Sequence, residues 1–176
     1  KRQTMEMLKS VIRDIPDFPK EGIIFKDITP LLSNPSSFQK AIDILKDRYK
    51  NKKIDRVVGI EARGFVFASA LAYALGCGMV MVRKPGKLPY KTFQKTYSLE
   101  YGEDSIEIHQ DAFEKGQRIV VIDDVLATGG TVAACIELMR KNFEVDLIEV
   151  GFLIELDFLS GSEKISDIPI YSIMHF

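Results

Sequence analysis

The stretch "VVIDDVLATGGT", residues 120–131, decides how the rest of this 176-residue chain is read. Its Val/Ile run, extended back to "RIVVID", has the continuous apolar character of a strand buried on both faces. "DVLATGG" then makes a connection, and "TVAACIELMRK" has the spacing of a helix. The segment therefore reads as strand, turn and helix. At the carboxyl end of a strand in an open parallel sheet, a glycine-rich turn entering a helix presents free backbone N–H groups that suit a phosphate. Gly129 and Gly130 let the backbone approach closely, and Thr128 and Thr131 add hydroxyls. Asp123 and Asp124 stand only a few residues away. Such acids commonly satisfy turn amides, but next to a bound phosphate they would repel it unless they faced hydroxyls or a metal. A ligand with a phosphate and neighbouring hydroxyls is a ribose 5-phosphate. Two other phosphate-binding patterns are excluded by spacing, because the chain has no G-x-x-x-x-G-K-[ST] and no G-x-G-x-x-G run.

Working outward, "RVVGI", "GMVMV" and "LIEVGFLI" repeat the short buried-strand pattern, and "FVFASALAYALG" supplies another helix. Apolar strands alternating with helices predict an α/β fold with an open, mainly parallel sheet flanked by helices. Between the second and third strands, "TYSLEY" and "SIEIH" alternate as an antiparallel hairpin does, with Glu107 and His109 on its exposed face. Before it "KLPYKTFQK", residues 87–95, has no periodicity and reads as a mobile loop. Near the start, Met5, Leu8, Ile12 and Ile15 predict one amphipathic helix ending at Pro16. "DFPKEGIIFKDITPLLSNP" follows as a structured loop. A second helix is then capped by Asn34 and begun by Pro35, with Phe38, Ile42, Leu45 and Tyr49 as its buried stripe.

Length and a 46% hydrophobic content suit one domain with a real core over residues 1–176. The 24 basic and 25 acidic residues nearly cancel, which argues against nucleic-acid and anionic-membrane partners and leaves a small charged metabolite. No apolar run approaches the roughly 20 residues that span a bilayer, and no leader pattern opens the chain, so a cytoplasmic protein is expected. Cys77 and Cys135 lack metal-ligand spacing and are expected to be buried, reduced thiols.

"VVIDDVLATGGT" resembles the phosphoribosyl pyrophosphate motif of the type I phosphoribosyltransferases, and the chain as a whole is similar to those that act on adenine. "FPKEGIIFKDITPLL", "EARGF", "RKPGKLP", "SLEYG" and "IELDFLSG" carry that similarity in order along nearly the whole sequence. The resemblance implies transfer of a phosphoribosyl group from phosphoribosyl pyrophosphate to adenine, giving AMP and pyrophosphate in purine salvage. It implies a small hood and base-binding segment over residues 1–34, and a flexible loop with a hairpin over residues 83–110. Asp123 and Asp124 would face the ribose hydroxyls, and Ala127, Thr128, Gly129, Gly130 and Thr131 would cradle the 5-phosphate. Arg63 would hold pyrophosphate, as would Arg83, Lys84 and Lys87, some of these last three across a homodimer interface, with Mg2+ held through substrate oxygens. Adenine would be read by the backbone of Ile24 and Lys26, stacked on Phe25 and closed by Leu156; Lys26 stands where arginine is expected in many relatives. Glu100 would be the general acid or base, and Tyr101 part of a lid. The alternatives are a transferase for another purine, and a regulator that senses phosphoribosyl pyrophosphate without turnover. No helix-turn-helix pattern or basic cluster supports the regulator.

Overall fold

In the computed structural model, which describes every residue except Glu100 and Ser166, the segment 120–131 is strand, turn and helix as expected. The chain divides into two units, Lys1–Leu45 and Lys46–Phe176.

The first unit opens with helix α1 (Arg2–Ser10) and an antiparallel pair, β1 (Arg13–Pro16) with β2 (Ile24–Asp27), followed by α2 (Thr29–Ser33). This corrects the single helix expected up to Pro16. The helical turn ends where Val11 and Ile12 donate to the carbonyls of Leu8 and Lys9, and the chain then straightens to put Ile15 opposite Phe25. β-branched residues tolerate either form, and the cross-strand pairing decides between them. The Arg13 guanidinium adds an ion pair to Asp27 at 3.0 Å. Helix α3 (Pro35–Tyr49) starts as predicted, with Asn34 Oδ1 accepting from the Ser37 N–H at 3.2 Å. Its buried stripe is Ser37, Ala41, Leu45 and Tyr49, so Phe38 and Ile42 are only half-buried. Leu45 and Tyr49 are buried as expected, and Ser37 and Ala41 take the places expected for Phe38 and Ile42.

In the second unit, β3 (Arg56–Ile60), α4 (Gly64–Leu75) and β4 (Gly78–Val82) lead to the hairpin β5 (Thr92–Leu99) and β6 (Gly102–His109). They are followed by β7 (Arg118–Leu126), α5 (Gly130–Asn142), β8 (Asp146–Glu155) and β9 (Ile170–His175). The central sheet has the order β4-β3-β7-β8-β9 and is parallel throughout, with β9 a fifth strand beyond the four expected. β7 lies in the middle, its Ile119 to Ile122 fully buried, so its carboxyl end is held rigidly at the ligand edge of the sheet. Val58, Val121, Val150 and Phe152 from the sheet and Cys135, Leu138 and Met139 from α5 form one buried cluster.

The hairpin begins earlier than expected. Thr92 to Lys95, which the lack of periodicity places in a loop, pair with Ile106 to His109. Their stability comes from α5 and its end: Phe93 packs edge-on to Phe143 at 5.5 Å, and Lys95 pairs with Glu137 at 3.0 Å. Glu107 is not on an exposed face but buried. Its backbone bridges to Arg83, and its carboxylate accepts from the Gly86 N–H at 3.3 Å. His109 is half-buried and accepts from the Tyr90 N–H at 3.2 Å. Of the two free thiols, Cys135 is buried as expected, whereas Cys77 is only half-buried where Gly76 turns the chain out of α4.

One buried charge anchors the end of α3 to the sheet. Glu149, 3% exposed, accepts two hydrogen bonds from Arg48 at 2.8 and 3.0 Å and one from Tyr49 at 3.0 Å. Burial raises the pKa of its carboxyl, but the hydrogen bonds from Arg48 and Tyr49 outweigh this and hold it below the ordinary glutamate value. A depressed folded-state pKa stabilises above the unfolded value, and that stability is lost as pH falls through the folded one. Glu149→Gln should therefore cost about 1.5 kcal/mol at neutral pH, because the Arg48 left behind is partly exposed and can be solvated. In urea unfolding the gap between variant and wild type should close as the pH drops below the ordinary glutamate range; a constant gap would show that the charge is not responsible.

Candidate active site

β7 runs on to Leu126, so Asp123 and Asp124 lie within the strand rather than after it. The Asp124 carboxylate is almost fully buried and accepts from Arg63 Nε at 2.5 Å. Arg63 stands at the start of α4, just past the end of β3, and its side chain remains 55% exposed. Neighbouring parallel strands thus bring together two residues 61 apart in sequence. Asp123 Oδ1 accepts from the Asp124 N–H at 2.9 Å. It lies so close to Gly64 that a side chain there would come within 2.7 Å of it. Asp123 is half-buried as a residue but its carboxyl is deeper. Burial, and then the Asp124 charge, push that carboxyl well above its ordinary range. The two acids differ in their partners: Asp124 is paired with the Arg63 guanidinium, while Asp123 accepts from the Asp124 N–H.

Past Leu126 the turn is built by backbone contact. Gly129 adopts φ +86° at the N-terminus of α5, and a Cβ on it would sit 2.4 Å from the Gly161 carbonyl oxygen. Gly161 in turn would clash with the Ala127 carbonyl at 2.3 Å. Two glycines from distant segments thus let two stretches of main chain touch, which no larger residue permits. The Gly129 carbonyl accepts from Ala133 as the helix begins, and among the described residues no side chain caps its first turn. Those first N–H groups lack intrahelical partners and carry the positive end of the helix dipole, the arrangement that binds an anion. Thr128 is exposed beside them, and Thr131 is half-buried with its hydroxyl 3.0 Å from that of Tyr97.

The basic segment after β4 is tied down by acids. Arg83 Nε donates to Glu61 Oε1 at 2.8 Å, the Lys84 N–H donates to the same oxygen at 3.2 Å, and the Lys84 ammonium pairs with Asp104. Lys87 is exposed. Leu156, half-buried, is held to the end of β7 by its N–H to the Leu126 carbonyl at 3.0 Å. Tyr101 is 83% exposed. Glu100, the candidate acid or base, lies outside the described residues.

In the first unit Ile24 is 59% exposed at the start of β2. Phe25 meets Phe18 edge-on at 5.1 Å, and the Lys26 ammonium pairs with Asp14 at 2.6 Å. That ion pair gives a lysine at position 26 a local partner across the β1–β2 ladder, independent of any base contact made by its backbone. Glu61, Tyr97, Asp104 and Gly161 escape the sequence reading. Tyr97 and Asp104 lie in the hairpin segment, but only the strand register shows that they stand opposite each other.

The sequence profile of the phosphoribosyl transferase domain matches residues 27–168. Adenine phosphoribosyltransferase from Geobacter metallireducens is 57% identical over 98% of this chain and 100% of its own length. That of Syntrophotalea carbinolica is 58% identical with the same coverage. Among solved structures, adenine phosphoribosyltransferase from Thermoanaerobacter pseudethanolicus superposes with a TM-score of 0.93 at 48% identity, covering 98% of this chain and 99% of that one. The Saccharomyces cerevisiae enzyme, solved with an imino-altritol bisphosphate and adenine, gives 0.91 at 43% identity, again over 98% and 99%.

Proposed function

Because the chain belongs to the phosphoribosyl transferase domain family, within the adenine phosphoribosyltransferases, we propose a division of its reaction among its own residues. The reaction is a pentosyl transfer: adenine displaces pyrophosphate from phosphoribosyl pyrophosphate and AMP forms, a step of purine salvage.

The observation that carries the assignment is the clamp at the end of β7, where acids and an uncapped, glycine-built helix start are a few residues apart. Ala127, Thr128, Gly129, Gly130 and Thr131 take the 5-phosphate through backbone N–H groups and hydroxyls. Asp124 and Asp123 face the ribose hydroxyls, and the Asp124 carboxylate favours the cationic ring of the transition state. Arg63 serves two partners: paired with Asp124 at its Nε, it has an exposed remainder able to take pyrophosphate oxygens in a fork. Lys84 and Lys87 complete the pyrophosphate contacts. Ile24, Phe25 and Lys26 read the base, with Leu156 against its ring. Glu100 handles the proton of the purine ring nitrogen, and Tyr101 helps to exclude water.

The acids also fit magnesium. Asp123 and Asp124 offer only hard oxygen donors, and one Asp124 oxygen is already committed to Arg63, which favours an ion held chiefly through substrate oxygens and water. When bound, it neutralises the departing pyrophosphate.

The chain acts as a homodimer, a reading supported by exposed apolar side chains at Tyr73 and at Met81 on the edge strand β4. Among the described residues no helix is long and apolar enough to cross a membrane. The free thiols of Cys77 and Cys135 support a cytoplasmic setting.

Initial rates with phosphoribosyl pyrophosphate, magnesium and equal adenine, hypoxanthine and guanine test the base assignment. AMP should dominate; a preference for either oxopurine would contradict the backbone reading at Ile24 to Lys26.

A further inference from the structure

None of the roles assigned to the site uses Tyr97, yet its hydroxyl lies between the basic segment and the phosphate turn. It is held there by its neighbours: β5 is pinned along α5 through Phe93 and Lys95, and Tyr97 itself packs against the core. Directly across the hairpin is Asp104, whose Oδ2 takes the Lys84 ammonium and whose Oδ1 accepts from the Ser105 N–H at 2.8 Å. The Tyr97 hydroxyl is 3.4 Å from that same Oδ2 and 3.0 Å from Thr131 Oγ1.

A tyrosine hydroxyl has one proton to give. Asp104 Oδ2 can accept that proton at 3.4 Å, but Thr131 Oγ1, at 3.0 Å, is the nearer acceptor. The Thr131 hydroxyl, once it accepts from Tyr97, must point its own proton elsewhere. A hydroxyl that accepts one hydrogen bond also becomes a better donor in the next, because the chain of bonds polarises.

We propose that Tyr97 is a positioning residue for phosphoribosyl pyrophosphate: its hydroxyl donates to Thr131 Oγ1 and so commits the Thr131 proton to the 5-phosphate. The Lys84 ammonium draws on the competing acceptor, Asp104 Oδ2. The inference rests on the placement of the 5-phosphate at residues 127–131.

Tyr97→Phe keeps the ring and its packing and removes one oxygen. It should raise KM for phosphoribosyl pyrophosphate about tenfold, the size of one hydrogen bond to a charged group. The adenine KM and kcat should stay within about twofold, as expected for an interaction made equally in ground and transition states. Thr131→Val should raise the same KM, and adding Tyr97→Phe to it should change nothing more, since the relay then has no receiver. An unchanged phosphoribosyl pyrophosphate KM in Tyr97→Phe, or multiplying effects in the double variant, would overturn the relay while leaving the phosphate placement intact. If Thr131→Val alone left that KM unchanged, the Thr131 hydroxyl would not serve the phosphate and the relay would fall, with the backbone placement untouched.

Discussion

An alanine at position 129 should lower kcat/KM for phosphoribosyl pyrophosphate at least about 100-fold, because a displacement near 1 Å in a positioned group costs that much. Gly129 has two reasons to lack a side chain. Its φ of +86° disfavours any L-residue, and a Cβ would come within 2.4 Å of the Gly161 carbonyl oxygen, a main-chain atom that cannot swing aside. Relief requires the turn to move away from residue 161, taking the first N–H groups of α5 with it. A Cβ on Gly130, next to it, would meet nothing within 4 Å, so Gly130→Ala should cost far less. Steady-state kinetics on the two variants, with circular dichroism to confirm that both fold, make the comparison. Equal losses would mean that the backbone contact to Gly161 does not set the site.

Glu100→Gln should lower kcat by about 100- to 10,000-fold, the usual range for general acid–base catalysis, with much smaller changes in both KM values. Its role comes from the "SLEYG" resemblance. Glutamine keeps the length and hydrogen-bonding shape but cannot exchange a proton with the purine nitrogen. Single-turnover measurements at saturating substrates separate the chemical step from product release. Wild-type single-turnover rates would remove Glu100 from the mechanism.

The parts of the fold legible in the sequence are those governed by local pattern. A continuous Val/Ile run followed by a glycine turn and a 3.6-residue repeat can hardly be anything but the β7 to α5 connection, and the alternation in "SIEIH" marks half of a hairpin. The misreadings arise where a distant partner decides. Met5, Leu8, Ile12 and Ile15 fit a helix, yet Ile15 is claimed by Phe25 across the β1–β2 ladder. Glu107 looks like the solvent side of an alternating strand, but the bridge to Arg83 covers it. The same holds for the site. Asp123, Asp124 and the glycine turn are contiguous and can be read directly, whereas the Arg63–Asp124 pair depends on β3 and β7 being neighbours. The Tyr97–Thr131 contact depends on both the hairpin register and the packing of β5 on α5. The acids beside a phosphate turn imply a sugar phosphate; the preference for adenine has no such local signature and comes from resemblance along the whole chain.

If strand, acids and turn form one ribose 5-phosphate clamp, a crystal structure with AMP bound should show the nucleotide seated there. Phosphate oxygens should lie at about 2.7–3.2 Å from backbone N–H groups of residues 127–131, with ribose hydroxyls on the carboxylates of Asp123 and Asp124. A phosphate seated away from that turn, or a ribose that meets neither acid, would contradict it.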